Sequence, residues 1–303
     1  MKQTLVIGST VIDIIITIPH IPVPGEDINI NNPDYRLGGC AYNVFETLRF
    51  LESPAILCSA VGTGVHGRMV MERLTSRGIK PLINIEEENG CCYCLVEQNG
   101  ERSFLSHHGA EYIFYKSWLK GMDFTEVDSV YISGIDVEDP TGIEIVGFLY
   151  DHPNLSVYFA PGPRIMKINP SRMKKIIEFR DKDEKGPVLH LNMHEACDFS
   201  GKHNYKEAAQ ALAERTNNVV IITLREKGCY SYDKNARVPG IHAPGFKAKV
   251  LDTTGAGDAH CGAIISELKQ GKSLEEACRT ANRIAAAATE IHGVVLDKDA
   301  RLP

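Results

Sequence analysis

The chain has 303 residues, 43 % hydrophobic and 24 % charged, a make-up that excludes wholesale disorder and suits one large domain with an accessory piece. Its 33 Lys and Arg against 39 Asp and Glu leave a net charge of −6, so nucleic acid and anionic membrane are not expected partners. The nine cysteines are odd in number and scattered from Cys40 to Cys278, which fits reduced thiols and a cytoplasmic location rather than a disulfide framework.

At the start of the chain, residues 4–7 form a short apolar run ending at Gly8, and the next run is interrupted by Asp13, so no signal peptide is expected. No stretch of roughly 18 apolar residues predicts a membrane span. Short β-branched runs at 5–7, 56–61, 130–133, 157–160, 188–192 and 219–223 alternate with helix-like stretches. That alternation predicts an α/β fold with a parallel sheet covered on both faces. Several runs end in Gly8, Gly62, Gly134, Asn192 or Thr223, and ligands of open α/β sheets bind outside such carboxyl ends.

Two segments break the alternation. Residues 14–36 hold Pro19, Pro22, Pro24 and Pro33 with alternating Ile28 and Ile30, and residues 82–106 read as paired strands turning at Asn99-Gly100. Both are expected to form a small β lid on a main domain made of 1–13, 37–81 and 107–303. Between them, Gly62-Thr63-Gly64-Val65-His66-Gly67 is a GxGxxG that imitates a dinucleotide-binding turn. The acidic run that should end the next strand, Glu86 to Glu88, reads instead as a polar turn, so the motif is taken as a plain strand-to-helix turn. Cys91, Cys92 and Cys94 are read as strand side chains, because only His107 and His108 lie near enough to complete a zinc site.

Toward the C-terminus, Ser273-Leu274-Glu275-Glu276 is a capping box opening an alanine-rich helix that ends by Gly293. Before it, Gly255-Ala256-Gly257 opens another helix. Successive unobstructed N–H groups and the helix dipole make that turn an anion site. Asp258 beside it is expected to be held ionised by the same field and to serve as a base. Phosphoryl transfer needs alignment, charge stabilisation and a proton acceptor, and this loop offers all three.

The run Asp252-Thr253-Thr254-Gly255-Ala256-Gly257-Asp258, followed by Ala259-His260-Cys261-Gly262-Ala263, resembles the C-terminal signature of the ribokinase-like, or PfkB, carbohydrate kinases. Gly38-Gly39-Cys40-Ala41-Tyr42-Asn43 resembles the GG-x-x-x-N of the same family, with Asp13 placed like its substrate-binding aspartate. The resemblance implies a three-layer α/β/α domain with a central mostly parallel sheet and a small β-sheet lid. It implies Asp258 as general base, Gly255, Ala256 and Gly257 as anion hole, and Asp13, Gly38, Gly39 and Asn43 as the acceptor site. Asn192 and Glu195 resemble an N-x-x-E that orders Mg²⁺ and phosphates largely through water. Thr223 and Gly228 resemble the nucleotide side of a T-x-G-x-x-G stretch, and Asn282 a position lining the adenine pocket. Asp252 and Gly293 resemble positions around a monovalent-cation site, so the implied cofactors are ATP, Mg²⁺ and, in such members, K⁺.

This sequence departs from the pattern at Arg225 (for the middle glycine), Gly64 (for an aspartate) and Ala160 (for the aspartate of D-P-x-x-R). The family's lid covers the sugar and often pairs between subunits, which implies a homodimer. Arg102, His107, His108 and Glu111 lie in or beside it as further candidates for substrate contact. The expected acceptor is a hydroxyl of a free sugar. The alternative is a nucleoside of the adenosine or pseudouridine type, with Tyr35, Tyr42 and Tyr93 available as an aromatic wall. A sugar phosphate is disfavoured because Arg36 alone sits close. A non-catalytic metabolite sensor is disfavoured because the whole base-bearing loop is present.

Overall fold

The computed structural model describes residues 1–98, 101–293, 295, 296 and 302, so the Asn99-Gly100 turn lies outside the described residues. In chain order, Gln3–Ile7 (β1), Val11–Ile18 (β2) and Asp34–Gly38 (β3) precede the helix Cys40–Phe50 (α1). Next come Ala55–Cys58 (β4), Ala60–Thr63 (β5), the helix Gly64–Ser76 (α2), Ile83–Glu88 (β6), Cys91–Glu97 (β7) and Arg102–His107 (β8). Val127–Ser133 (β9) leads to the helices Gly134–Glu138 (α3) and Gly142–Asp151 (α4), and Ser156–Ala160 (β10) to Pro170–Glu178 (α5). Val188–Asn192 (β11) is followed by Met193–Ser200 (α6) and Tyr205–Thr216 (α7). Val220–Thr223 (β12), Cys229–Tyr232 (β13) and Gly240–Ala243 (β14) precede the last two helices, Ala256–Lys269 (α8) and Leu274–Thr289 (α9).

The main sheet runs β14-β13-β12-β11-β10-β9-β1-β4, parallel from β12 to β4 and antiparallel across the last two strands at the β14 edge. Strand periodicity sends alternate side chains to opposite faces. Leu5 and Ile7 enter one apolar cluster while Val6 enters the other, and Val130 and Ile132 part from Tyr131 in the same way. The first cluster is closed by α4, α5 and α7, the second by α1, α8 and α9. This is the expected three-layer α/β/α arrangement.

A second sheet, β3-β2-β7-β8, pairs β2 with β7 in parallel and closes with an antiparallel strand on each side. Between β2 and β3, the proline-bearing segment 19–33 forms no strand, as four residues without a backbone donor require.

Two local expectations are corrected. The run 56–61 is not one strand but two: β4 stays in the main sheet, and after Ser59 β5 leaves it to pair with β6. Glu86 to Glu88 are therefore strand residues rather than a turn. Gly62 makes the pairing possible, since a Cβ there would lie 2.0 Å from the Glu87 carbonyl oxygen. The GxGxxG thus belongs to a small side sheet away from the main sheet.

Candidate active site

Two helix N-termini meet at the carboxyl ends of the main strands. Gly255 caps α8 in a left-handed conformation (φ 72°), which glycine adopts without cost. At Gly257 a Cβ would meet nothing within 4 Å, so the backbone of this turn faces open space. Helices α1 and α8 approach closely at Gly262, where a Cβ would lie 2.8 Å from the Thr47 Cβ. That contact fixes the partners one turn away: Asn43 Nδ2 donates to Asp258 Oδ2 at 2.8 Å across 215 residues of sequence. The adjoining cleft is lined by Ser133, Ala160, His190, Asn192, Glu195, Thr223, Gly255, Gly257 and Asp258. Of the strand ends singled out from sequence, Asn192 and Thr223 line it, whereas Gly62 lies in the side sheet.

The electrostatics differ from the sequence expectation at Asp258. Burial pushes its carboxyl up to about 6, with the Glu195 charge adding to the rise, while the hydrogen bond from Asn43 and the nearby Cys40 thiol pull the other way. Desolvation therefore outweighs the stabilising contacts, and the group sits near the pH at which a base is most useful. Asp13 is raised further, to about 7, by burial and then by the charges of Asp258 and Asp252. Gly38 makes room for it, because a Cβ there would lie 2.0 Å from Asp13 Oδ2. Gly39 (φ 101°) caps α1 with its α-carbon against the Ser9 carbonyl. The geometry thus gives both glycines steric roles.

Sequence reading missed two residues here. Cys40 lies beside Asp258, and burial followed by the neighbouring carboxylates raises its thiol well above the usual range. Asp136 is buried beside the first-strand turn; Ser133 Oγ donates to its Oδ2 at 2.6 Å, and its Oδ1 has no partner among the described residues. Burial pushes it up to about 7. Its only sequence signal was its place just after a strand end.

On the far side of the cleft, Asn192 and Glu195 form a reciprocal cap on α6. Asn192 N and Nδ2 donate to Glu195 Oε2 and Oε1 at 2.9 and 2.6 Å, and Glu195 N returns a bond to Asn192 Oδ1 at 2.9 Å. The carboxylate is thereby oriented at the cleft rim. Among the described residues no group of three or more His, Cys, Asp or Glu forms a ready-made metal cage. One oriented carboxylate fits Mg²⁺ carried in by phosphates, which keeps several of its waters. Thr223 ends β12, its hydroxyl on the Leu191 carbonyl at 3.4 Å. Gly228 (φ 89°) is sterically required, since a Cβ would lie 2.2 Å from the Ala243 carbonyl. Arg225, in place of glycine, still takes the left-handed backbone (φ 56°) and is exposed. Asn282 is buried and its amide is occupied: Nδ2 donates to the Ala243 and Pro244 carbonyls, and Oδ1 faces His260 Nε2 at 3.1 Å. His260 Nδ1 in turn meets His190 Nε2 at 2.8 Å, and burial first of all lowers both imidazoles. A neutral His190–His260–Asn282 chain therefore runs from the cleft wall into the core.

The lid sheet presents Asp13, Arg36, Cys92 and Ser106 in one row across its strands, and Tyr35, Ile14, Tyr93 and Leu105 in the next. Adjacent rows point to opposite faces, so Tyr35 and Tyr93 turn away from the Asp13 side. Tyr42 is buried in the core. The aromatic wall expected from these three tyrosines does not form. Glu111 is buried and spent on Asn89 and the Gly90 and Gly109 amides, and His108 pairs with Asp139 and stacks on Tyr112, while His107 is exposed.

Arg102 alone of the four lid candidates reaches the signature loop. Its Nη1 donates to Asp252 Oδ1 and to Thr254 Oγ1. Burial works against the Asp252 carboxylate, but the bonds from Thr254 and Arg102 outweigh it and hold the group below its ordinary range. Arg36, the arginine expected to stand alone, has Nη1 3.8 Å from Asp252 Oδ2. A monovalent metal ion at Asp252 would compete with Arg102, which already occupies Oδ1, and would lie beside Arg36, whose Nη1 makes no hydrogen bond to Oδ2.

The arrangement joins an exposed anion cradle, a half-buried base and a polar pocket lined by Asp13 and Asn43. A family model for pfkB family carbohydrate kinases matches residues 1–147 and 183–301. The uncharacterized sugar kinase YegV of Escherichia coli is 30 % identical over 289 residues, covering 94 % of this chain and 87 % of YegV. Among solved structures, ribokinase of Thermotoga maritima superposes with a TM-score of 0.80 at 26 % identity, covering 97 % of this chain and 95 % of the other. Ribokinase of Cryptococcus neoformans in complex with ADP gives 0.77 at 26 % identity, covering 97 % and 96 %.

Proposed function

Because this chain belongs to the pfkB family of carbohydrate kinases, which are ATP-dependent phosphotransferases acting on alcohol groups, we propose that it transfers the γ-phosphoryl group of ATP to a hydroxyl of a free sugar. The observation that carries this reading is the position of Asp258, between the Asn43 side of the acceptor pocket and the open turn at Gly257. In the step, the acceptor oxygen forms a bond to the γ-phosphorus as the bond to the ADP oxygen breaks. The hydroxyl proton passes to Asp258. A carboxylate raised to about 6 suits this, being ionised at neutral pH yet able to hold the proton as charge develops. Backbone N–H groups of Gly255 and Gly257 stabilise the charge on the transferring group, with Ala256 N, which donates to the Thr253 carbonyl at 3.3 Å, turning to it as the third donor. Asn192 and Glu195 would hold Mg²⁺ through water, and the ion would neutralise the phosphates.

Asp13 and Asn43 supply a carboxylate and an amide to adjacent hydroxyls of the acceptor. A free sugar is favoured over a nucleoside because Tyr35, Tyr93 and Tyr42 offer no stacking surface to the Asp13 side, which leaves Phe104 as the one aromatic of the lid strands on that face. A homodimer through the lid belongs to the same reading, supported by the exposure of Tyr35, Tyr93 and Leu105 on one face of its strands. No described helix is long and apolar enough to cross a membrane.

The acceptor assignment is tested by incubating the protein with Mg-ATP and a panel of free sugars, sugar phosphates and nucleosides, with products read by mass spectrometry. A free sugar is expected to gain one phosphoryl group. Products formed from nucleosides alone would overturn the sugar assignment, and no product from any acceptor would overturn the kinase reading.

A further inference from the structure

Asp252 opens the loop that continues through Thr254 into the Gly255 cap, so whatever neutralises Asp252 also positions the anion cradle. Its carboxylate is only 3 % exposed, and a charge so enclosed requires a partner. Arg102, from strand β8 of the lid sheet, binds both ends of the turn, Asp252 Oδ1 and Thr254 Oγ1, while Thr254 N donates to the same Oδ1 at 2.8 Å. At Oδ2, Arg36 Nη1 stands at 3.8 Å and His292 Nδ1 at 4.0 Å. Arg36 is itself held by Asp34, with Nε at 2.7 Å.

Gly293, the other residue tied by resemblance to a metal position, also faces an arginine: a Cβ there would come within 3.9 Å of Arg36 Cδ. The Thr289 carbonyl at the end of α9 accepts from both Leu251 N and Asp252 N, at 2.8 and 3.1 Å. Two arginines thus face Asp34 and Asp252, and Asp13 lines the same pocket. A metal ion at Asp252 would stand beside both guanidinium groups, which repel it.

We infer that Arg102 is the resident cation of the signature loop, standing in place of a monovalent metal ion, so that this protein needs no K⁺ to order its anion cradle. Arg102 acts through Asp252 and Thr254 and is a positioning residue. The same contact ties the lid sheet to the cradle loop. The activity arm of the test rests on the kinase reading; the melting arm does not.

The experiment compares wild type and Arg102→Gln in 100 mM KCl and in 100 mM tetramethylammonium chloride. Wild-type melting is expected to change by less than about 1 °C between the salts, and the variant to melt lower in tetramethylammonium and to recover by about 3 °C in K⁺. With the acceptor found in the panel, wild-type turnover is expected to stay within about twofold in the two salts, and the variant to lose roughly tenfold or more in tetramethylammonium and to regain rate with K⁺ or a few millimolar guanidinium. A wild type that K⁺ stabilises by several degrees or activates several-fold would overturn the inference, as would an Arg102→Gln protein indistinguishable from wild type in both salts. A failure of phosphoryl transfer itself would leave the melting comparison readable.

Discussion

Asp258→Asn is expected to lower kcat by roughly 10²–10⁴-fold, the range for loss of a general base, while making the unliganded protein more stable at pH 8. Both effects come from one carboxylate. Asparagine keeps an oxygen for the Asn43 amide, which stands 2.8 Å away in the wild type, so the α1–α8 contact is preserved and only proton acceptance is lost. The stability gain follows from burial, which pushes Asp258 up to about 6 from an ordinary value of 3.8. Above that folded value the carboxylate is ionised in folded and unfolded chains alike, and the folded state bears the desolvation cost. Below about 4 it is protonated in both and the cost vanishes. Wild-type stability from this group therefore declines as pH rises from about 4 to about 6. Removing the charge should recover on the order of 1–2 kcal/mol at pH 8 after allowance for the solvent that reaches the group, and nothing near pH 4. Denaturant unfolding at the two pH values reads this directly. Equal stability of the two proteins at pH 8 would contradict the burial argument even if activity fell.

Gly39→Ala is expected to destabilise the fold by about 3 kcal/mol or more, from backbone strain and overpacking together. At φ 101° and ψ 141° the residue occupies a region that side-chain-bearing residues avoid. The added Cβ would also lie 2.5 Å from the Ser9 carbonyl oxygen, which receives Tyr42 N at 3.3 Å. Neither atom is the tip of a flexible side chain, so either the end of β1 or the first turn of α1 must move. Asn43 sits on that turn, and folded Gly39→Ala protein should bind acceptor more weakly, with a raised KM. Gly257→Ala is the internal control: a Cβ there meets nothing within 4 Å, and its stability should stay within about 1 kcal/mol of wild type. A Gly39→Ala protein as stable as Gly257→Ala would contradict the steric reading.

The layers and the base-bearing loop were legible in the sequence because their signals are local. Unbroken apolar runs such as 130–133 predict a strand buried on both faces, and Val130, Tyr131 and Ile132 do divide between the two cores. Gly255-Ala256-Gly257 carries its conformation in its composition, and α8 begins there. What escaped was non-local. The departure of β5 from the main sheet depends on its pairing with β6, some twenty residues away, which no window of sequence displays. The direction of Tyr35 and Tyr93 depends on the registers of β3 and β7 against β2, so their composition suggested a wall that the pleat denies. Arg102 lies 150 residues from Asp252, and an arginine on a lid strand looks like a solvated charge until both partners are placed. Asp258 was found as a residue but the upward shift of its carboxyl was not, since the helix field is visible in sequence whereas the depth of burial is not. Arg225 illustrates the reverse case: the residue departs from glycine while the backbone keeps the left-handed turn.

The central claim is that Asp258 accepts the acceptor's proton, and the pH dependence of kcat/KM for wild type measured beside Asp258→Asn tests it most directly. Asp258 is raised to about 6 and Asp13 to about 7. Wild-type kcat/KM should therefore climb with pH through that window and level off above it, as the base ionises, while the residual rate of Asp258→Asn lacks the rise assigned to Asp258. Identical profiles for the two proteins, or a wild-type rate that falls as pH rises from 5 to 7, would contradict the account.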